Sequence, residues 1–345
     1  MLINSAFTTK DSIKFLLEII KSNTQPLPSK SLKIDGQEAD FYQTEKLNKK
    51  NRTIVFFHGY NQLGNKDQRI VKIAGAFTAI GFDCLVPKIP CYTEIRIPQE
   101  PDFHLLSSFL NYLLVEKLIT NNPLLFIGPS TSCLALLKVA GTDELRAKVK
   151  SICLISPYFN SKRNHKNLLE KPRNLYGQLV SLKLILYSQF LHEKSASLRY
   201  DLHVLNKAIN LCYLKKNERN IDRHITEFIS SELHTNSQLL ELINNLGKPG
   251  FITDKLHPFL IDISGMSTYQ NCLEKVDAKI AIIHSSNDDI FPPRESILLS
   301  KLLNKKNMNH RLVITSLLEH ADINLKNIIK ELIPMVKAFN YFFKQ

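Results

Sequence analysis

Along this chain, short unbroken apolar runs alternate with longer stretches in which apolar residues recur three and four positions apart. Thr53-Ile54-Val55-Phe56-Phe57 is such a run, and Phe82 to Val86, Leu124 to Ile127, Lys150 to Ile155 and Lys279 to Ile283 are others. A strand with one wet face alternates apolar and polar residues, so continuous runs predict strands buried on both faces. Helical spacing fills the intervals: Ile70 to Ile80, stopped by Gly81, then Phe103 to Leu118, then Cys133 to Ala140. Strand and helix in regular succession from residue 53 to 157 predict a mostly parallel sheet with helices on both faces.

The flanking segments read differently. Met1 to Lys21 is an amphipathic helical pattern that holds Asp11 and Glu18. Ser31 to Ile34 and Ala39 to Thr44 alternate weakly about Asp35-Gly36, a hairpin signal. Lys46 to Arg52 reads as a polar loop and Pro87 to Pro101, with four prolines, as an irregular segment. From Tyr158 to about Ser267 there are helical stripes, clearest at Leu175 to Leu191 and Leu239 to Leu246, and no buried strand pattern. The alternation resumes with the strand at Lys279, a helix over Ser296 to Leu303, a strand over Arg311 to Thr315 and a closing helix over Asp322 to Phe343. The chain therefore divides into residues 1–157 and 268–345, which form one α/β core, and a helical insertion at 158–267.

Composition narrows the classes. An apolar fraction of 44% in 345 residues supports a sizeable core. No apolar run reaches membrane-spanning length, and the N-terminal helix lacks the pattern of a signal peptide. A cytoplasmic protein is the expectation, and export without an N-terminal signal is compatible with it. The six cysteines are scattered singly with no CxxC pair, so neither a zinc site nor another metal site is expected, and a reducing compartment fits. The formal net charge of +13 is spread over a Lys- and Asn-rich sequence. It would favour peripheral contact with an anionic membrane surface. There is no aromatic-interleaved basic groove of the nucleic-acid-binding kind.

One stretch carries chemistry. The run Leu124 to Ile127 leads into Gly128-Pro129-Ser130-Thr131-Ser132, and an apolar helical pattern leaves it. Strand, tight serine-bearing turn, helix is the context of a nucleophile elbow, which needs small residues two before and two after the serine. An ordinary β–α turn has the same look, and the motif alone does not separate the two.

Three further motifs lie at suitable spacing, one before this stretch and two after it. His58-Gly59 ends a buried strand. His284-Ser285-Ser286-Asn287-Asp288-Asp289-Ile290-Phe291-Pro292 follows another, and Glu319-His320-Ala321 follows the last. Taken in this order, the four motifs resemble those of the α/β-hydrolase superfamily, in the form with a helical cap after the sixth strand. The resemblance covers nearly everything from residue 31 onward except the cap. It implies Ser130 as nucleophile, His320 as general base and then acid, and Asp288 as the carboxylate that orients His320. It implies the backbone N–H groups of Tyr60 and Thr131 as the oxyanion hole. Asp289 is a rival to Asp288, and the motif register favours Asp288, four residues before Pro292. The elbow departs from the family pattern at Ser132, where a second glycine is usual, and at Pro129. The acid loop departs at Ser285, and Leu317-Leu318-Glu319 lacks the glycine often found before the histidine.

The implied activity is a serine hydrolase acting on carboxylic esters, of esterase, lipase or lysophospholipase type, through an acyl-enzyme and without a cofactor. Its partner would be a small-molecule or lipid ester. Two alternatives stand beside it: a catalytically inactive hydrolase-fold module that binds lipid or protein, and a thioesterase or peptidase with the same triad. Cys133 reads as a core thiol. In the cap, the stripe Leu182, Leu186, Phe190 fits the cap's own packing or an acyl chain. Lys162, Arg163, Lys166, Lys171 and Arg173 fit a solvated face or an anionic head group.

Overall fold

A computed structural model describes residues 2–20, 29–45, 49–119, 123–172, 174–214, 220–233, 236–250, 266–319, 322–323 and 328–344. The described chain falls into two compact units. One holds 1–93, 99–159 and 267–345, and the other holds 94–98 and 160–266.

The first unit is built on an eight-stranded sheet. Its strands are β1 (Ser29–Ile34), β2 (Gln37–Tyr42), β3 (Thr53–Phe56), β4 (Asp83–Pro87), β5 (Leu124–Pro129), β6 (Val149–Ile155), β7 (Lys279–Ser285) and β8 (His310–Thr315), in the order β1-β2-β4-β3-β5-β6-β7-β8. β1–β2 and β2–β4 are antiparallel, and every later pairing is parallel. Asp35 and Gly36 form the β1–β2 turn with φ of +48° and +79°. That pair of left-handed residues is the reason this dipeptide reads as a hairpin.

The apolar runs become strands with a core on each face. In β3 and the residue after it, Val55 and Phe57 enter one core and Ile54 and Phe56 the other. Leu124 and Phe126 are divided from Leu125 and Ile127 in the same way, as are Ile280 and Ile282 from Ala281 and Ile283. The first core is closed by α4 (Glu100–Val115), α5 (Ser132–Ala140), α11 (Met266–Leu273) and α12 (Arg294–Lys305). The second is closed by α1 (Leu2–Ile20), α2 (Gln68–Ala79) and α13 (Ile328–Phe343), where Phe15 stacks on Phe77 at 4.4 Å and meets Phe339 edge-on at 4.7 Å. Each fully buried side chain of this kind contributes roughly 1.5–3 kcal/mol.

Three details correct the sequence reading. Asp322 does not open the closing helix: Asp322–Ile323 is a strand (β10) antiparallel to Leu318–Glu319 (β9), and α13 begins at Ile328. Two-residue strands are too short to show a period. The irregular Pro87–Pro101 segment contains a helical turn, α3 (Pro90–Thr93). α4 starts at Glu100, with Pro101 in its first turn and the Asp102 carboxylate accepting from Gln99 N–H at 2.7 Å. Proline is tolerated there because first-turn N–H groups have no helical acceptor.

The second unit is helical. It contains α6 (Ser161–Glu170), α7 (Leu175–Glu193), α8 (Ala196–Leu214), α9 (Ile221–Glu232) and α10 (Ser237–Asn244). Leu182 and Leu186 are buried within it, and Arg199 lies over the Phe190 ring. The segment 94–98 is held here by Lys183, whose buried ammonium donates to the Glu94 carbonyl and to Asn206 Oδ1. Burial lowers the pKa of Lys183 to about 8. No helix among the described residues is long and apolar enough to cross a membrane.

Candidate active site

β5 ends at Pro129, and α5 starts at Ser132, so Ser130 and Thr131 must reverse the chain in two residues. Ser130 does this with φ +56°, a left-handed conformation that L side chains avoid at a cost of roughly 1–2 kcal/mol. Its own N–H donates to Ile155 O (2.7 Å), continuing the ladder to β6, and its carbonyl accepts from Cys133 N–H (3.1 Å) as α5 begins. Strain at a residue that both flanking elements hold in place is a mark of a functional position.

The small residues around it are required by space. A Cβ on Gly128 would stand 2.5 Å from Ser132 Oγ and 3.1 Å from Phe57 O, and one on Gly59 would reach Pro129 O at 3.4 Å. The turn after β3 and the elbow are thus in direct contact. Ser132 fits where glycine is usual because its hydroxyl is absorbed locally, donating to Pro129 O at 2.7 Å with Phe57 O at 3.3 Å. Pro129 fits because it is the last strand residue and Ser130 supplies the next ladder N–H.

Tyr60 follows Gly59 in that turn. The turn is held from two sides. Asn61 Nδ2 bonds to the buried Asp67 carboxylate, while Asn61 Oδ1 accepts from Leu63 N–H (2.9 Å). Asp67 in turn caps α2 through Arg69 N–H (2.8 Å). On the other side, His58 Nδ1 donates to Gly59 O (2.8 Å) and its Nε2 accepts from Ile89 N–H (2.9 Å). Those two partners require the neutral Nδ1–H tautomer. Burial lowers the His58 pKa to about 4.

This shift gives an expected pH dependence of stability. The unfolded chain takes up the His58 proton near pH 6.5 and the folded chain only near pH 4. Between those values acid favours the unfolded chain. The contribution is complete above pH 6.5, falls by about 1.4 kcal/mol per pH unit and levels off below pH 4, for a loss of about 3 kcal/mol. Urea midpoints between pH 7.5 and 4 for the protein and for His58→Gln check this: the difference between the two should shrink toward acid, and a constant difference would contradict it.

Asp288 follows β7. Its side chain is buried. Oδ1 accepts from Ile290 N–H (2.9 Å) and Phe291 N–H (2.8 Å), and Oδ2 lies 3.5 Å from His284 Nε2. The backbone bonds fix one carboxylate oxygen and shape the loop. His284 spans β7, the loop and α12, with Nδ1 2.6 Å from Ser296 Oγ and Nε2 2.9 Å from Phe291 O. Asp289 is exposed. Ser285 Oγ, at the usual glycine position, accepts from Asn287 N–H at 3.1 Å. His320 lies outside the described residues.

Some contributors had no sequence signal. Tyr92 donates its hydroxyl to Thr131 O at 3.1 Å and so pins the residue after Ser130. Glu295, wholly buried in the first turn of α12, accepts from Phe159 N–H at 2.8 Å and holds the loop after β6. Cys133 is buried with Sγ 3.2 Å from Gly128 O, and burial raises its pKa well above the ordinary thiol value. It packs as a small apolar residue. The six cysteines are all buried and free. Among the described residues no group of three or more His, Cys, Asp or Glu side chains could hold a metal ion.

An esterase from Pyrococcus furiosus superposes with a TM-score of 0.50 at 10% identity, over 92% of this chain and 89% of that one. Est1E from Butyrivibrio proteoclasticus gives 0.48 at 13% identity, over 91% and 96% of the two chains. The acylaminoacyl peptidase of Pyrococcus horikoshii gives 0.49 at 11% identity over 94% of this chain and 42% of that one, so the chain spans less than half of that protein. At such identities the likeness is one of fold, and the fold is that of the α/β-hydrolases. No protein-family model matches the chain, and no curated protein matches it by sequence.

Proposed function

We propose that the chain is a serine hydrolase that cleaves carboxylic esters. The observation that carries the reading is Ser130. It is a non-glycine residue in a left-handed conformation between a central parallel strand and a helix, with Gly59 and Gly128 packed around it. A backbone strained at a serine presents the hydroxyl at the C-terminal edge of the sheet, where ligands of open α/β sheets bind.

In this reading Ser130 Oγ attacks the ester carbonyl while His320 takes its proton, since a serine hydroxyl is hardly ionised at neutral pH. Asp288 holds His320 in the right tautomer and stabilises the imidazolium. The N–H groups of Tyr60 and of Thr131, the latter at the N-terminus of α5, stabilise the oxyanion. The tetrahedral adduct expels the alcohol, which receives its proton from His320. Water then attacks the acyl-enzyme with His320 again as base, releasing the acid and regenerating Ser130. An apolar acyl part is the best match to the apolar core packed behind the turn.

Treating the purified protein with a fluorophosphonate and mapping the adduct tests the proposal. The expected result is modification at Ser130 that is lost in His320→Ala. A folded protein that takes no label would overturn it and leave a binding role for the scaffold.

A further inference from the structure

Ser130 follows β5, and the strands on either side of β5 are continued by aromatic residues. On the β3 side, Tyr60 follows Gly59 and meets Tyr92 edge-on, with centroids 5.1 Å apart. On the β6 side, Tyr158 and Phe159 come three and four residues after Ile155, whose carbonyl takes the Ser130 N–H. Tyr158 packs on Phe291 at 5.5 Å and edge-on to Tyr269 at 6.0 Å, and Phe159 meets Tyr269 at 5.9 Å. Tyr60, Tyr158 and Phe159 all pack against the same core, and the Tyr92 hydroxyl donates to the carbonyl of Thr131, the residue after Ser130, at 3.1 Å.

The collar has fixed and open members. Tyr92, Tyr269 and Phe291 are buried, whereas Tyr60, Tyr158 and Phe159 are half-buried. The open members on the β6 side are held in place, because Phe159 N–H is bound by the buried Glu295 carboxylate.

We propose that this collar is the acyl subsite, and that it selects esters whose acyl part carries an aromatic ring over esters of straight-chain fatty acids. The inference rests on the serine-hydrolase reading of Ser130. Aromatic rings associate in offset and edge-to-face arrangements at 4.5–7 Å, and a flat guest ring extends an array of that spacing. A long alkyl chain gains no quadrupole attraction there and loses more rotational freedom. Aromatic collars also bind quaternary ammonium groups, but the formal net charge of +13 opposes a cation. The acyl group stays bonded to Ser130 through both half-reactions, so walls on the strands flanking Ser130 suit it better than they suit the departing alcohol. The net reaction adds water to, for example, ethyl 3-phenylpropanoate and releases 3-phenylpropanoate, ethanol and a proton.

The test compares ethyl 3-phenylpropanoate with ethyl octanoate, which share an alcohol, and measures fluorophosphonate labelling rates in parallel. The phenylpropanoate should have the higher kcat/KM by roughly 10-fold, and Tyr158→Leu should bring that ratio down to about 1–2 in a protein that still takes the label at Ser130. Phe159→Leu should act in the same direction if Tyr158→Leu does not fold. A wild-type preference for octanoate, or equal losses on both substrates in a variant that still labels normally, would overturn the aromatic subsite and leave the hydrolase reading standing. Absence of labelling in the wild type would remove the hydrolase reading and the subsite with it.

Discussion

Ser130→Ala and Ser130→Gly are both expected to lose ester hydrolysis by a factor of at least about 10⁴, yet to differ in stability. The loss of activity follows from the proposed role of Ser130 as nucleophile. The difference follows from the backbone. Ser130 is held at φ +56° between the ladder bond to Ile155 and the start of α5. Alanine keeps that strain, so Ser130→Ala should unfold near the wild-type urea midpoint. Glycine enters the left-handed region at almost no steric cost but loses more chain entropy on folding. The net result should be a Ser130→Gly protein roughly 0.5–1 kcal/mol more stable than the other two. Urea melts and ester assays on the three proteins decide it. Hydrolysis surviving in either variant would exclude Ser130 as nucleophile, and a glycine variant less stable than the alanine one would exclude strain at this turn.

The strain also shows which parts of the structure could be read from sequence. Strands such as Thr53–Phe56 and Lys279–Ser285 were legible because both faces are covered. Their residues divide between two cores, and a run with no polar gap allows no other strand environment. The elbow was legible because Gly128 and Ser132 leave room that larger side chains would fill. The hairpin at Asp35-Gly36 was legible because few dipeptides take two positive φ values. What supports the site was not. Tyr92 reaches Thr131, and Glu295 reaches Phe159, across separations of 39 and 136 residues. In each case a side chain bonds a backbone group, which leaves no local pattern. The Asn61–Asp67 bond spans only a few residues, but it joins a loop to a helix cap with no recurring spacing. Short elements failed for a different reason: Pro90–Thr93 and the β9–β10 pair owe their form to their surroundings and contain too few residues for a period.

Asp288→Asn should lower kcat by about 10³–10⁴ while leaving the fold intact, and Asp289→Asn should change kcat less than about twofold. The two oxygens of Asp288 do different work. Oδ1 is engaged by the N–H groups of Ile290 and Phe291. An asparagine carbonyl can accept both bonds, so the loop keeps its shape. What asparagine cannot supply is the second carboxylate oxygen and the negative charge that, in the proposed triad, stabilises an imidazolium. Asp288→Ala removes both functions, and with two backbone donors left unsatisfied it should also be about 1–3 kcal/mol less stable. Asp289 is exposed, and replacing it leaves the buried Asp288 carboxylate in place. Measuring kcat and the urea midpoint for the three variants separates the roles. Loss of activity in Asp289→Asn with Asp288→Asn unaffected would move the triad carboxylate by one residue. A large loss of stability in Asp288→Asn would mean that its charge holds the loop together, so that its activity could no longer be read as chemistry alone.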